Sequence, residues 1–257
     1  MRLDAFGAII KAALLAGLAA GLVVAAVQFV WSEPVIDRAI VLEEQLHAVD
    51  NARANAAQPP QETPVVDRPT QKKGLFLGYT IYGLAWGLLF GAAYAIAQPH
   101  LSVNSRLAKG VLLAGVSFWA VGLLPFLKYP ANPPGVGDPE TIDFRQHIYL
   151  GMLVGGIAVV ALGLAVHRAL LARRGRWTAV GVALGAVALG SAALYAALPS
   201  NPDVVHMPAG LVADFRMHSL AGLALFWLVL GGVFGPVLSW LSAGVRRPAL
   251  AGPSGAS

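Results

Sequence analysis

Long apolar runs broken by short polar connectors dominate the chain, and six of them carry no charged residue: Ala12–Trp31, Gly74–Ala97, Gly110–Leu127, Ile148–Val166, Trp177–Leu198 and Ser219–Val245. A helix needs about 20 apolar residues to cross a bilayer, so each run predicts one transmembrane helix. The sizeable hydrophilic region falls between the first two, from Ser32 to Lys73. In its first half, Pro34 to Val49, Ile36, Ile40 and Val41 alternate with Asp37, Glu43 and Glu44 at helical spacing, predicting that the first helix re-forms beyond the membrane. Its second half, Asp50 to Thr70, is rich in Asn, Ala, Gln and Pro and reads as irregular. Pro99 and Pro236 mark places where the second and sixth helices would kink or end early.

The fold class that follows is an all-α integral membrane protein, a six-helix transmembrane bundle built from tandem helical hairpins. Its segments are residues 1–31 for the first helix, 32–73 for a helix and loop beyond the membrane, and 74–257 for five further helices. Composition agrees: 57% of the 257 residues are hydrophobic and 12% charged, where charged residues make up about a quarter of an ordinary soluble domain. The net charge of +5 does not point to nucleic acid, because the bases lie in short connectors between apolar segments. With the N-terminus inside, the inner segments hold ten of the eighteen bases, four of them at Arg168, Arg173, Arg174 and Arg176, and one acid, Asp4. This sorting predicts both termini cytoplasmic. Cysteine is absent, which excludes disulfides, thiolate metal sites and cysteine nucleophiles. No phosphate-binding loop of the Gly-x-x-x-x-Gly-Lys-Ser/Thr kind occurs, and nothing marks the chain as an enzyme.

An internal repeat covers about residues 110–166 and 177–245. The first copy runs Leu124-Pro125, Asn132-Pro133, Asp143-Phe144-Arg145 and His147; the second runs Leu198-Pro199, Asn201-Pro202, Asp214-Phe215-Arg216 and His218. Asp143 and Asp214 are placed to cap helices. His147 and His218 follow one turn later on the same face, so each Asp–His pair offers two ligands, or a ligand and the carboxylate that orients it. Such pairs suit a divalent transition metal bound through nitrogen and oxygen. Helix caps and interfacial side chains would leave the same pattern, and Arg145 and Arg216 beside helix starts suit an anion better than a cation. A second candidate group is Glu43, His47 and Asp50 on one helical face, and His206-Met207 adds a further nitrogen and a thioether. The metal candidates are therefore Glu43, His47, Asp143, His147, His206, Asp214 and His218. Within the spans, glycines recur four residues apart at Gly17 and Gly21, Gly83, Gly87 and Gly91, Gly151 and Gly155, Gly181 and Gly185, and Gly231 and Gly235, a pattern that permits close helix crossings.

The connector Leu124-Pro125-Phe126-Leu127-Lys128-Tyr129-Pro130-Ala131-Asn132-Pro133-Pro134-Gly135-Val136-Gly137-Asp138-Pro139-Glu140-Thr141-Ile142 resembles the signature stretch of the predicted cobalt-transporter subunit family CbtA. The likeness extends over essentially the whole chain, including the Ala/Leu/Gly-rich first helix and its glutamate-bearing extension. The resemblance implies bacterial cobalt uptake for corrinoid synthesis, with cobalt as cargo, no permanently bound cofactor, and a small one-span partner carrying a histidine-rich end. Two other readings stay open on the residues alone: a haem-binding membrane cytochrome with His147 and His218 as axial ligands, and a non-transporting membrane assembly module.

Overall fold

A computed structural model describes residues 3–53, 66–101 and 103–244. Among these residues every regular element is helical. Helix α1 spans Leu3–Trp31 and α2 spans Glu33–Arg53, joined at Ser32, whose carbonyl accepts from the amides of Val35 and Ile36. Helix α3, Arg68–Ala97, ends in a tighter 3-10 turn at Gln98–His100, where Pro99 cannot supply the donor that continuation requires. Helix α4, Arg106–Ser117, passes into a π-helical stretch, Phe118–Leu123, and then into α5, Leu124–Lys128. Pro125 stands in the first turn of α5, and the wide turns just before it take up the bond that its missing N–H leaves unmade. Helices α6, Ile142–Arg174, and α7, Arg176–Ala197, meet at Gly175, whose φ of 78° suits glycine, and α8 spans Ala209–Gly244.

Among the described residues, six helical stretches are long and apolar enough to cross a membrane: Phe6–Trp31, Arg68–His100, Arg106–Lys128, Pro139–Arg174, Arg176–Ala197 and Ala209–Ala243. The all-α membrane fold and its six spans are as the apolar pattern predicts, and so is the helix after Ser32. Most helices overrun the apolar runs. Helix α3 starts at Arg68 where an irregular stretch to Thr70 is expected, and α6 begins six residues before Ile148. Hydropathy marks the thickness of the hydrocarbon, whereas Lys, Arg, Gln and Glu are good helix formers and carry the helix into the polar zone. Pro236 does not end α8, which continues to Gly244. The centre of the irregular segment, 54–65, lies outside the described residues, as does the C-terminal stretch from 245.

Two compact units divide the chain, and their boundaries fall inside α1 after Val27, between Asp67 and Arg68 where α3 starts, inside α4 after Gly115 and inside α8 after Ala224. In the first unit α1 and α3 touch backbone to backbone. A methyl group on Gly17 would overlap the Gly83 carbonyl oxygen, and one on Gly83 would overlap that of Gly17. Gly110 and Ala114 of α4 receive Gly231 of α8 in the same manner. Rings of α3 and α8 meet edge to face, with centroids 5.1 Å apart for Tyr82 and Phe226, 5.5 Å for Trp86 and Trp227, and 5.1 Å for Phe90 and Phe234. In the second unit α6 and α7 form a hairpin in which Leu194 rests on Gly155 and Val159 on Gly190. The glycine pattern therefore marks close crossings at most of its positions, but Gly181 and Gly185 have nothing within 4 Å.

Candidate functional site

The second unit gathers the polar chemistry of the chain: α2, the 129–138 connector, the start of α6, the 198–208 connector and the start of α8. Its apolar seat is small. Ala39 of α2, fully buried, packs with Met207 and Val212, and Val136, Val205 and Leu211 close around them. Through these contacts α2 touches both connectors, and Glu43 lies against Gly135, where a Cβ would come 2.6 Å from its Cδ.

Each predicted metal residue has a definite place. His147 is exposed, and its Nδ1 lies 2.5 Å from the backbone carbonyl of Asp143, so the pair is joined through the main chain and not through the carboxylate. Asp143 is exposed on the first turn of α6 and does not cap it: Thr141 holds the cap position, and Asp138 does the capping, its Oδ1 accepting from the Glu140 amide at 2.9 Å. Asp214 is no cap either. It is the sixth residue of α8, whose first turn is bonded back to the Pro208 carbonyl by the amide of Val212. In both places a proline, Pro139 or Pro208, starts the helix a turn earlier than the aspartate. The Asp214 carboxylate instead meets Arg38 of α2 at 3.4 Å, with both side chains more than half exposed. His206 is exposed beside buried Met207. The side chain of His47 lies outside the described ones, as does that of Asp50. Among the described residues, no three His, Asp or Glu side chains converge on a point that would hold a metal.

His218 sits differently. Its ring lies 6.0 Å from that of Trp31 and its Nδ1 is buried without a hydrogen-bond partner. Its backbone carbonyl accepts from Gln28 Nε2 at 3.3 Å, while Gln28 Oε1 accepts from the buried Ser32 hydroxyl at 3.0 Å. Gly222 makes room, since a Cβ there would lie 2.5 Å from Gln28 Nε2.

The residues that tie the connectors together are ones that ligand patterns in the sequence do not single out. Asp203 has a side chain only 1% exposed. Its Oδ1 lies 2.6 Å from the Thr141 hydroxyl, and its Oδ2 lies 3.1 Å from Arg145 Nη1, at ion-pair distance though without hydrogen-bond alignment. Arg145 Nη2 also donates to the Asp138 carbonyl at 3.2 Å, and Gly137, at φ 124°, leaves room for the guanidinium, which a Cβ there would overlap. Arg216 does the reverse: its Nη2 donates to Asn132 Oδ1 at 2.8 Å and its Nε to the Ala131 carbonyl at 3.3 Å. The arginine of each repeat therefore binds the Asn-Pro connector of the other. Tyr129 adds a third tie, donating to the Pro199 carbonyl at 2.6 Å, and burial pushes its phenol above the usual tyrosine range. The signal available in the sequence was the repeat itself, in which Arg145 and Arg216 recur as faithfully as the histidines.

Among the described residues, an all-α architecture with six helices long and apolar enough to cross a membrane fits a multi-pass membrane protein. The family model for CbtA, described as a probable cobalt transporter subunit, matches residues 6–239, and the chain belongs to that family. A transporter subunit works within a complex embedded in the membrane, and its family implies a non-enzymatic role. No curated protein and no solved structure matches the chain.

Proposed function

We propose that this chain is the membrane-spanning subunit of a bacterial divalent-metal uptake system whose cargo is cobalt, and that the ion is gathered at the outer face by histidines and carboxylates of the second unit. The family match over residues 6–239 carries the proposal. The exposure of His147, His206 and Asp143 supports it, because groups that collect an ion from water must be reachable from water. These donors are spread out, which suits cargo that must be released, and leaves the remaining ligands to a small one-span subunit with a histidine-rich end. The chain itself would keep no permanent cofactor.

Whole-cell uptake of labelled cobalt, with nickel as competitor, tests the reading. Uptake should fall to the background of untransformed cells when the chain is deleted, and substitution of His147 or His218 should lower it by about 10- to 100-fold if they are ligands. Unchanged uptake in the deletion strain, or a haem Soret band in the purified protein, would sink it. Orientation follows from the charge sorting, with both termini and the Arg168–Arg176 connector cytoplasmic. The chain has no native cysteine, so Arg174→Cys gives a clean probe. It should stay unlabelled by an impermeant thiol reagent in intact cells, and labelling would reverse the topology.

A further inference from the structure

A cavity of about 440 Å³ in the second unit is lined by Asn132, Arg145, Gln146 and Asn201, with Tyr129 and Tyr149 among its flanks. No carboxylate and no histidine lines it, so it is separate from the metal-gathering residues. What lines it instead are nitrogen donors. The Nε of Arg145 is buried and has no acceptor. Asn132 turns its Oδ1 to Arg216, and Asn201 turns its Oδ1 to the amide of Asp203 at 3.1 Å. An asparagine whose carbonyl oxygen is anchored to the framework has its NH₂ group left over, and neither amide nitrogen has an acceptor among the described residues. The two asparagines hold equivalent places in the repeat, so each Asn-Pro connector contributes the same donor to one cavity. Asp203 is not part of the lining: its Oδ1 is taken by Thr141 and its Oδ2 lies 3.1 Å from Arg145 Nη1, so this ion pair offsets the guanidinium charge and what remains for the cavity is hydrogen-bond donation by Arg145 Nε and the two amides.

A buried donor without an acceptor, as Arg145 Nε is, is costly unless something supplies an oxygen lone pair, and N–H groups gathered around one space suit the several lone pairs of an oxyanion better than a bare cation. We propose that this cavity binds a small anionic ligand through its carboxylate or phosphate oxygens. Two sources share that chemistry: a soluble acid, including a carboxylate chelate of the metal, and the phosphate of a lipid headgroup. In either case Asn132, Arg145 and Asn201 provide the donors and Gln146 adds one from the rim.

Full-length protein in nanodiscs of phosphatidylcholine, with and without phosphatidylglycerol, is titrated calorimetrically with citrate and with inorganic phosphate. Asn132→Asp keeps the oxygen that Arg216 holds and replaces the amide donor with negative charge, and Gln146→Glu replaces an amide with negative charge at an exposed position. A soluble ligand predicts saturable binding of citrate or phosphate in phosphatidylcholine discs, weakened about tenfold or more by either variant at unchanged melting temperature. A headgroup ligand predicts no soluble binding, but a rise in wild-type melting temperature with phosphatidylglycerol that both variants lose. The proposal is overturned if neither anion binds and phosphatidylglycerol has no effect, or if the wild type and both variants respond alike.

Discussion

The two units hold themselves together by opposite means. In the first, helices meet through absent side chains: Gly17, Gly21, Gly83 and Gly87 bring backbone against backbone, and aromatic edges fill what remains. In the second, connectors meet through long polar side chains that cross between repeats, with Arg145 on Asp203, Arg216 on Asn132 and Tyr129 on Pro199. Lipid tails are as apolar as leucine, so within a membrane close packing, and not burial from water, must distinguish one helix crossing from another. Connectors without a sizeable apolar core have no such surface to pack, and fixed hydrogen bonds take over that task.

The sharpest way to break the contrast is to remove one partner of the buried ion pair. Arg145→Ala leaves the Asp203 carboxylate, 1% exposed, without a counter-charge, and should cost about 3–5 kcal/mol of stability. Thermal unfolding in detergent reads it. Removing both charges together, as Arg145→Met with Asp203→Leu, should restore most of the loss, and a double variant as unstable as the single one would show that Arg145 acts through its other bond, to the Asp138 carbonyl.

A smaller effect is expected where the first unit is challenged. Gly17→Val places a branched side chain against the Gly83 carbonyl and Gly87 Cα, contacts that only a shift of two helix backbones can relieve, and should cost about 1–3 kcal/mol. Gly181→Val, built on the same small-xxx-small spacing but with nothing within 4 Å, should change stability by less than about 0.5 kcal/mol. Equal losses at the two positions would mean that α7 has a neighbour in the assembled complex.

That pair of glycines also shows what could be read in advance. Apolar runs gave the six spans because the bilayer sets a length and the backbone must satisfy its own hydrogen bonds within it, a constraint local enough to appear in any window of about 20 residues. Glycine spacing pointed to close crossings, yet Gly17 and Gly181 look alike in sequence and differ only in whether another helix arrives. The site was less legible. The Asp-Phe-Arg-x-His repeat drew attention to Asp143, His147, Asp214 and His218, but the aspartates do not cap, because Pro139 and Pro208 start the helices a turn earlier. Asp203 lies 58 residues from Arg145, and no local pattern couples residues so far apart. The reciprocal use of the two arginines was present in the repeat only as identity, without direction.

The smallest effect concerns the third tie, Tyr129, and distinguishes a polar link from packing by pH. Its hydroxyl donates to the Pro199 carbonyl at 2.6 Å, a bond that only the protonated phenol can make, and burial raises its pKa above the ordinary 10.0. A group whose folded-state pKa is raised contributes stability that is fully present below the unfolded value and is lost as pH climbs through the folded one. Wild-type protein should therefore keep this contribution at neutral pH and lose it above about pH 10, where the unfolded phenol ionises first. Tyr129→Phe should cost about 0.5–1.5 kcal/mol at pH 7, the net worth of one hydrogen bond, and should leave a flatter stability profile between pH 9 and 11. Tyr129 lies just beyond the span that ends at Lys128, so alkali reaches it without disturbing the membrane-buried crossings of the first unit. Profiles that fall in parallel for Tyr129→Phe and wild type would assign the alkaline loss to another group and leave the connectors held by their arginines alone.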